Sequence, residues 1–347
     1  MDRHIIHFEH TMKECFECQE EKRVRKPMIT HTKKMMGTAV LAMSLLLSAC
    51  GSGNEGKEHG GKGHEANEGG KIRIVTTIGQ IAEPISVIGG ERVEVQSLMG
   101  PGVDPHLYNA TQGDIQKLEK GDIVFYSGLH LEGNMTKIFE QIGKSRPVLG
   151  IAESIPEDKL LKDDKGGIDP HVWFDIDLWK QSLDAAVEEM KKHSPDDADY
   201  FDTNKAQYFA ELDKLKAESQ EKLSQIPQEQ RVLVTAHDAF GYFGRLQGID
   251  VVGLQGLSTE DEIGISDIDD TIKLLMEYKV PAVFVESSIN PASINAVIEG
   301  AASKGLNVKL GGELFSDAMG DEGTEEGTYL GMYRHNVETI YHALSGK

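Results

Sequence analysis

The chain has 347 residues, with 36 Lys and Arg against 57 Asp and Glu and a formal net charge of −21. That acidity argues against nucleic acid as a partner, because phosphate binding needs a basic face. Hydrophobic residues at 39% and charged residues at 27% fit a globular protein of one large or two medium domains.

Residues 35–49, MMGTAVLAMSLLLSA, form the long apolar run of the sequence. The run is too short to cross a bilayer comfortably, and Lys33-Lys34 precedes it as a basic region precedes the core of a signal peptide. It ends in Leu47-Ser48-Ala49-Cys50-Gly51, which resembles a bacterial lipobox: a leucine, two small residues and the cysteine. The resemblance implies a signal peptide over 1–49, cleavage before Cys50 and diacylation of its sulfur. Met28 makes an ordinary opening for such a signal, so residues 1–27 read as an upstream extension. Cysteines stand at 15, 18 and 50 and nowhere later, which excludes a disulfide framework from the main body.

Residues 50–70 are Gly-rich, charged and free of large apolar side chains, the composition of a lipidated flexible tether. Gly51 to Lys57 spells parts of a dinucleotide fingerprint and of a P-loop. Neither follows a strand nor opens a helix, so both are products of composition. His59 and His64 in the tether are solvated residues with a weaker reading as metal gatherers.

From Lys71 the pattern changes to α/β. Strands are expected at 72–77, 92–98, 122–127 and 147–151, with helices at 78–89, from Thr111 and from Asn134. The second half repeats the scheme. Its strands are expected at 231–236, 250–254, 282–286 and 307–310, and its helices at 238–247, 267–279, 291–304 and 327–345. Alternation of this kind predicts parallel sheets covered on both faces. Between the halves run helical stretches at 177–193 and 196–226, broken by Ser194-Pro195. The domain reading is an N-terminal lobe over 71–193, a linking helix over 194–228 and a C-terminal lobe over 229–347. A helix as the link is stiffer than paired strands, so limited lobe closure is expected.

Two segments look alike, Gly102-Val-Asp104-Pro105-His106 and Gly167-Ile-Asp169-Pro170-His171. The first follows a strand, which puts its imidazole at the usual binding edge of a parallel sheet. His237 ends the apolar strand Val232-Leu-Val-Thr-Ala236, and Asp317 lies just past another strand. Separations of 65, 66 and 80 residues match no local metal finger, so any shared site is built by the tertiary fold, two groups from each lobe. Each histidine alone reads more readily as a structural residue than as a ligand. Asp104 and Asp169 read as supporting or turn carboxylates, His130 as a loop or helix-start residue, and His335 and His342 as surface positions on the last helix.

The stretch from Ile72 onward is similar to the metal-receptor branch of ABC-transporter solute-binding proteins. The matching residues are Gly102-Val-Asp-Pro-His-Leu-Tyr108, Asp169-Pro-His-Val-Trp173, Thr235-Ala-His-Asp-Ala-Phe-Gly-Tyr242, Gly253-Leu-Gln-Gly-Leu-Ser-Thr259 and Asp317-Ala-Met-Gly. This resemblance implies two Rossmann-like lobes joined by a long backbone helix, with a metal between them held by His106, His171, His237 and Asp317. It implies a monomeric, lipid-anchored receptor that hands a divalent ion to a membrane permease driven by a cytoplasmic ATPase. Three imidazoles and a carboxylate suit Mn²⁺, Zn²⁺ or Fe²⁺. The lack of a long His/Asp/Glu-rich insert leans towards manganese, whereas a histidine at 237, where many manganese receptors have glutamate, keeps zinc open. A metalloenzyme is disfavoured by four protein ligands and no evident general base. An adhesin, a label often attached to this family, finds no independent adhesive site in the sequence.

Overall fold

The computed structural model describes residues 70–346. The expected signal peptide, Cys50 and the tether up to residue 69 lie outside the described residues, as do Cys15, Cys18, His59 and His64.

The first lobe is built on β1 (Ile72–Thr76), β2 (Val93–Ser97), β3 (Ile123–Tyr126) and β4 (Val148–Gly150), all parallel in the order β2-β1-β3-β4. Ile72, Ile74 and Val75 of β1 are buried, as are Ile123, Val124 and Phe125 of β3. Such continuous apolar runs are what strands covered on both faces require. Helix α1 (Gly79–Gly89) buries Ile81, Ile85 and Ile88, spaced by one helical turn. Helix α2 (Gln112–Lys120) opens with a reciprocal capping box between Thr111 and Asp114. The short α3 (Thr136–Ile142) follows β3.

The helical midsection is α4 (Ile176–His193) and α5 (Ala198–Leu223), separated at Ser194-Pro195. The side chain of Asp175 caps α4 by accepting from the N–H groups of Asp177 and Leu178. At 26 residues, α5 runs about 39 Å. Near its start Asn204 Nδ2 donates to Ile88 O at 3.0 Å and Tyr208 Oη to Glu83 Oε2 at 3.2 Å, both on α1. Near its end Gln220 Nε2 donates to Leu246 O at 3.1 Å in the second lobe.

The second lobe holds β5 (Val232–His237), α6 (Gly241–Gln247), β6 (Asp250–Gln255), α7 (Ile265–Tyr278), β7 (Ala282–Glu286), α8 (Ala292–Ser303), β8 (Lys309–Leu314) and α9 (Tyr329–Ser345). Strands β5 and β6 pair in parallel, as do β7 and β8, and β5 lies beside β7. The alternation read from the sequence is therefore present, with boundaries displaced by a few residues, most at β8. β8 begins at Lys309 and runs through Gly311-Gly312, where a strand end was expected at Leu310. A register shift between Val283 and Phe284 absorbs the glycines, and Gly312 takes a φ of 140° against Thr339, a conformation few other residues adopt.

The hydrophobic interior forms two clusters. A smaller one lies under α7 and α8 and includes Val234, Ile272, Leu275, Val283 and Val297. The larger one is continuous across both lobes: Ile81, Ile85 and Ile88 of α1 share it with Leu212 and Leu215 of α5 and Tyr329, Tyr333 and Ile340 of α9. Trp173, Phe174, Phe240 and Phe243 close it beside the site, all fully buried. Truncating one of these aromatics to alanine costs about 3–5 kcal/mol.

Candidate metal centre

Four side chains from distant parts of the chain converge at one place. His106 lies in the loop after β2, and His171 precedes the short turn that leads to α4. His237 is the last residue of β5, and Asp317 lies three residues past β8. One ligand atom from each falls within 4.8 Å of the others, and all four residues are buried. His171 and His237 are 0% exposed, Asp317 1% and His106 4%. His130 is exposed in a left-handed turn at φ 69° and does not join them, while His342 is exposed on α9. His335, half-buried on the same helix, also lies outside the cluster, so none of the three joins it, as the sequence reading expects.

Spacing shows what the cluster can hold. Asp317 Oδ1 lies 3.4 Å from His171 Nε2, and Asp317 Oδ2 lies 3.2 Å from His237 Nε2 and 3.7 Å from His106 Nε2. The Nε2 atoms of His106 and His171 are 3.3 Å apart. Ligands at about 2.0–2.2 Å from a tetrahedral ion are about 3.3–3.6 Å from one another. Both carboxylate oxygens of Asp317 and Nε2 of His237 are buried without a hydrogen-bond partner. Buried acceptors are ordinarily satisfied, so these orphaned atoms and their spacing fit a divalent ion as cargo.

Two of the histidines have a carboxylate against ring Nδ1, and the third is braced by one through its backbone. Asp169 Oδ1 accepts from the backbone N–H of His171 at 2.9 Å and lies 2.8 Å from its Nδ1. Glu286, the last residue of β7, repeats the device at His237: Oε1 accepts from the backbone N–H at 2.9 Å, and Oε2 sits 2.6 Å from Nδ1 without hydrogen-bond alignment. Asp104 Oδ1 accepts from the backbone N–H of His106 at 2.9 Å. A carboxylate on Nδ1 leaves Nε2 to face the cluster and raises the basicity of the ring. The supporting role read for Asp104 and Asp169 is seen here. Glu286 was missed, although a lone acid closing the apolar run Ala282-Val-Phe-Val marks it just as His237 marks β5.

The segment bearing Asp317 is clamped from several sides. Asn336 of α9 accepts from Phe315 N at 2.9 Å and donates to Phe315 O at 2.7 Å. Ser316 O accepts from Trp173 Nε1 at 3.2 Å and Gln80 Nε2 at 3.1 Å.

Charge sets the proton balance of the cluster. Burial lowers His106 to about 3, against the pull of Asp317. At His171 burial also acts downward, but Asp169 and Asp317 outweigh it and raise the ring to about 9. His237 is likewise pushed down by burial and carried well above its ordinary value by Glu286 and Asp317. Burial would raise Asp317, yet His237 and His171 hold it well below the usual carboxylate range. These directions make His171 and His237 the rings that favour a proton in the metal-free cluster, and Asp317 the group that favours ionisation.

Comparison with known proteins places the chain among metal-binding proteins of one kind. Residues 74–343 match the family described as zinc-uptake complex component A, periplasmic (ZnuA). The manganese-binding lipoprotein MntA of Bacillus subtilis (strain 168) is 48% identical over 307 residues, 88% of this chain and 97% of that protein. The zinc-binding protein TroA of Treponema pallidum (strain Nichols) is 46% identical over 281 residues, 81% of this chain and 91% of that protein. Among solved structures, the periplasmic zinc-binding protein TroA of Treponema pallidum superposes with a TM-score of 0.78 at 46% identity, covering 80% of this chain and all of the other.

Proposed function

The chain belongs to the ZnuA family, the metal-binding substrate-binding proteins of ABC transporters, and on that premise we propose that it is a manganese receptor whose ligands are His106, His171, His237 and Asp317. It is a binding protein and not an enzyme: it captures a metal ion for an ABC permease and its ATPase. The observation that carries the ligand set is the convergence of four buried donor groups, two of them held by their own carboxylates, around orphaned Asp317 oxygens.

Three nitrogens and one carboxylate suit first-row divalent ions, and intrinsic affinity ranks Zn²⁺ above Mn²⁺ in any such site. Tight zinc binding in vitro therefore says little about the ion carried. The likeness to a manganese-binding lipoprotein at 48% identity and the lack of a His-rich insert favour manganese. The likeness to a zinc-binding protein at 46% identity and the histidine at 237 support zinc as the second reading. Measuring the bound metal in protein purified from its native host, beside Mn²⁺ and Zn²⁺ uptake in a deletion strain, separates the two. Loss of zinc uptake alone would reject manganese.

The placement proposed for the receptor is the extracytoplasmic face of the cell membrane. Its support is the Leu47-Ser-Ala-Cys50 motif and the lipoprotein names of relatives. Among the described residues no helix is long and apolar enough to cross a membrane. The lipidated tether over 50–70, the lobes over 71–193 and 229–347, the link over 194–228 and the monomeric state complete this reading.

A further inference from the structure

We propose that Thr259 is a positioning residue for metal capture and release: its hydroxyl latches, from the opposite lobe, the Asp104 arm that carries His106. The inference rests on the reading of His106 as a ligand.

The ligands are not held equally. His171 and His237 each have a carboxylate against Nδ1, at 2.8 and 2.6 Å, and both rings are fully buried. The Asp317 segment is pinned by Asn336, Trp173 and Gln80. Among the described residues no carboxylate pairs with Nδ1 of His106, and this is the histidine with residual exposure. Its neighbours Pro101, Gly102 and Leu107 are exposed. The carbonyl of His106 accepts a long bond of 3.3 Å from Asn134 Nδ2. His106 is thus the least braced of the three rings.

What grips this segment from across the cleft is Thr259. Its Oγ1 donates to Asp104 Oδ2 at 2.6 Å, while the other oxygen of the same carboxylate accepts from the backbone N–H of His106. Bonds to an ionised acceptor at this length are strong and directional. Thr259 is itself anchored, because Gln255 at the end of β6 donates through Nε2 to the carbonyls of Thr259, at 2.8 Å, and Asp261. One carboxylate therefore couples a ligand on the first lobe to a loop on the second. For His106 to leave, the Thr259–Asp104 bond must break, so the bond sets the rate at which the ion escapes.

The test is chelator-triggered release of Mn²⁺ followed by stopped flow in the metal-loaded chain. Thr259→Val keeps the shape and removes the hydroxyl, and should release Mn²⁺ about tenfold faster. Thr259→Ser should stay close to the parental rate. Parental release from Thr259→Val would overturn the latch. So would fast release from Thr259→Ser, since that assigns the effect to packing of the lost methyl group. His106→Ala binding Mn²⁺ with parental affinity would instead overturn the ligand set, which keeps the two failures distinct.

Discussion

Glu286 sits against His237 across two neighbouring strand ends, its carboxylate accepting from the backbone N–H at 2.9 Å and facing ring Nδ1 at 2.6 Å. The acid comes from β7 and the histidine from β5, so the adjacency of two parallel strands fixes the direction of one imidazole. Replacing Glu286 by Gln keeps the size and removes the charge. Metal affinity should fall about 10–100-fold, the usual cost of losing such support. Competitive titration with a chromophoric chelator reads this, and an unchanged affinity would remove Glu286 from the site.

Asp317 brings the negative charge closest to the ion. Without it a divalent cation would be buried among three neutral rings, and an uncompensated buried charge is expensive. Asp317→Ala should reduce Mn²⁺ affinity more than Glu286→Gln does. His130→Ala, in an exposed turn, should leave affinity at the parental value. The reverse pattern in isothermal titration would displace the proposed ligand set.

Metal loading should raise thermal stability, because the ligands come from both lobes. An ion at 100 times its dissociation constant adds about 2.7 kcal/mol. Mn²⁺ and Zn²⁺ should each shift the calorimetric melting point upward. Mg²⁺ should not, since it prefers oxygen ligands and keeps its waters. Equal shifts from Mg²⁺ and Mn²⁺ would contradict a nitrogen-rich site.

Protons compete with the ion. His171 is raised to about 9 in the metal-free fold, against an ordinary value of about 6.5, so its stabilising contribution is full below the ordinary value. That contribution fades as pH climbs through about 9, and over the same range an ion displaces the proton more easily. Capture should release protons, and affinity should rise with pH by up to about tenfold per unit for each proton displaced. Titrations in buffers of different ionisation enthalpy, at pH 6.5 to 8.5, report the proton count. A flat affinity over that range would show neutral imidazoles before binding.

Cys50→Ala should abolish acylation and leave unprocessed or soluble protein outside the membrane fraction. Two acyl chains give stable anchoring where one is marginal. Fractionation with a labelled fatty acid checks this, and retained label after the substitution would refute the site.

Much of this architecture was legible in the chain. The apolar runs Ile72-Arg-Ile-Val and Val232-Leu-Val-Thr-Ala mark buried strands because few other folds hide such runs. His237 stood out as the polar residue that closes an apolar strand, and Asp317 as a carboxylate just past one. Three relations were not legible. Strand β8 continues through Gly311-Gly312 because its partner shifts register, which is a property of the pair. Glu286 meets His237 only because β7 lies beside β5, and neighbouring order in a sheet leaves no local trace. Thr259 reaches Asp104 across 155 positions, a contact that no periodicity encodes.

The sharing of one hydrophobic cluster between α1, α5 and α9 bears on how the fold melts. Tyr329, Tyr333, Val337, Ile340 and Leu344 of the last helix line the same interior as Ile81, Ile85 and Ile88 of the first. The wall of the first lobe is thus completed by α9, the last helix of the second. The larger interior is therefore unfinished in either lobe alone, although the second lobe keeps the smaller cluster to itself. Calorimetry should accordingly register one cooperative transition, with no early-melting half.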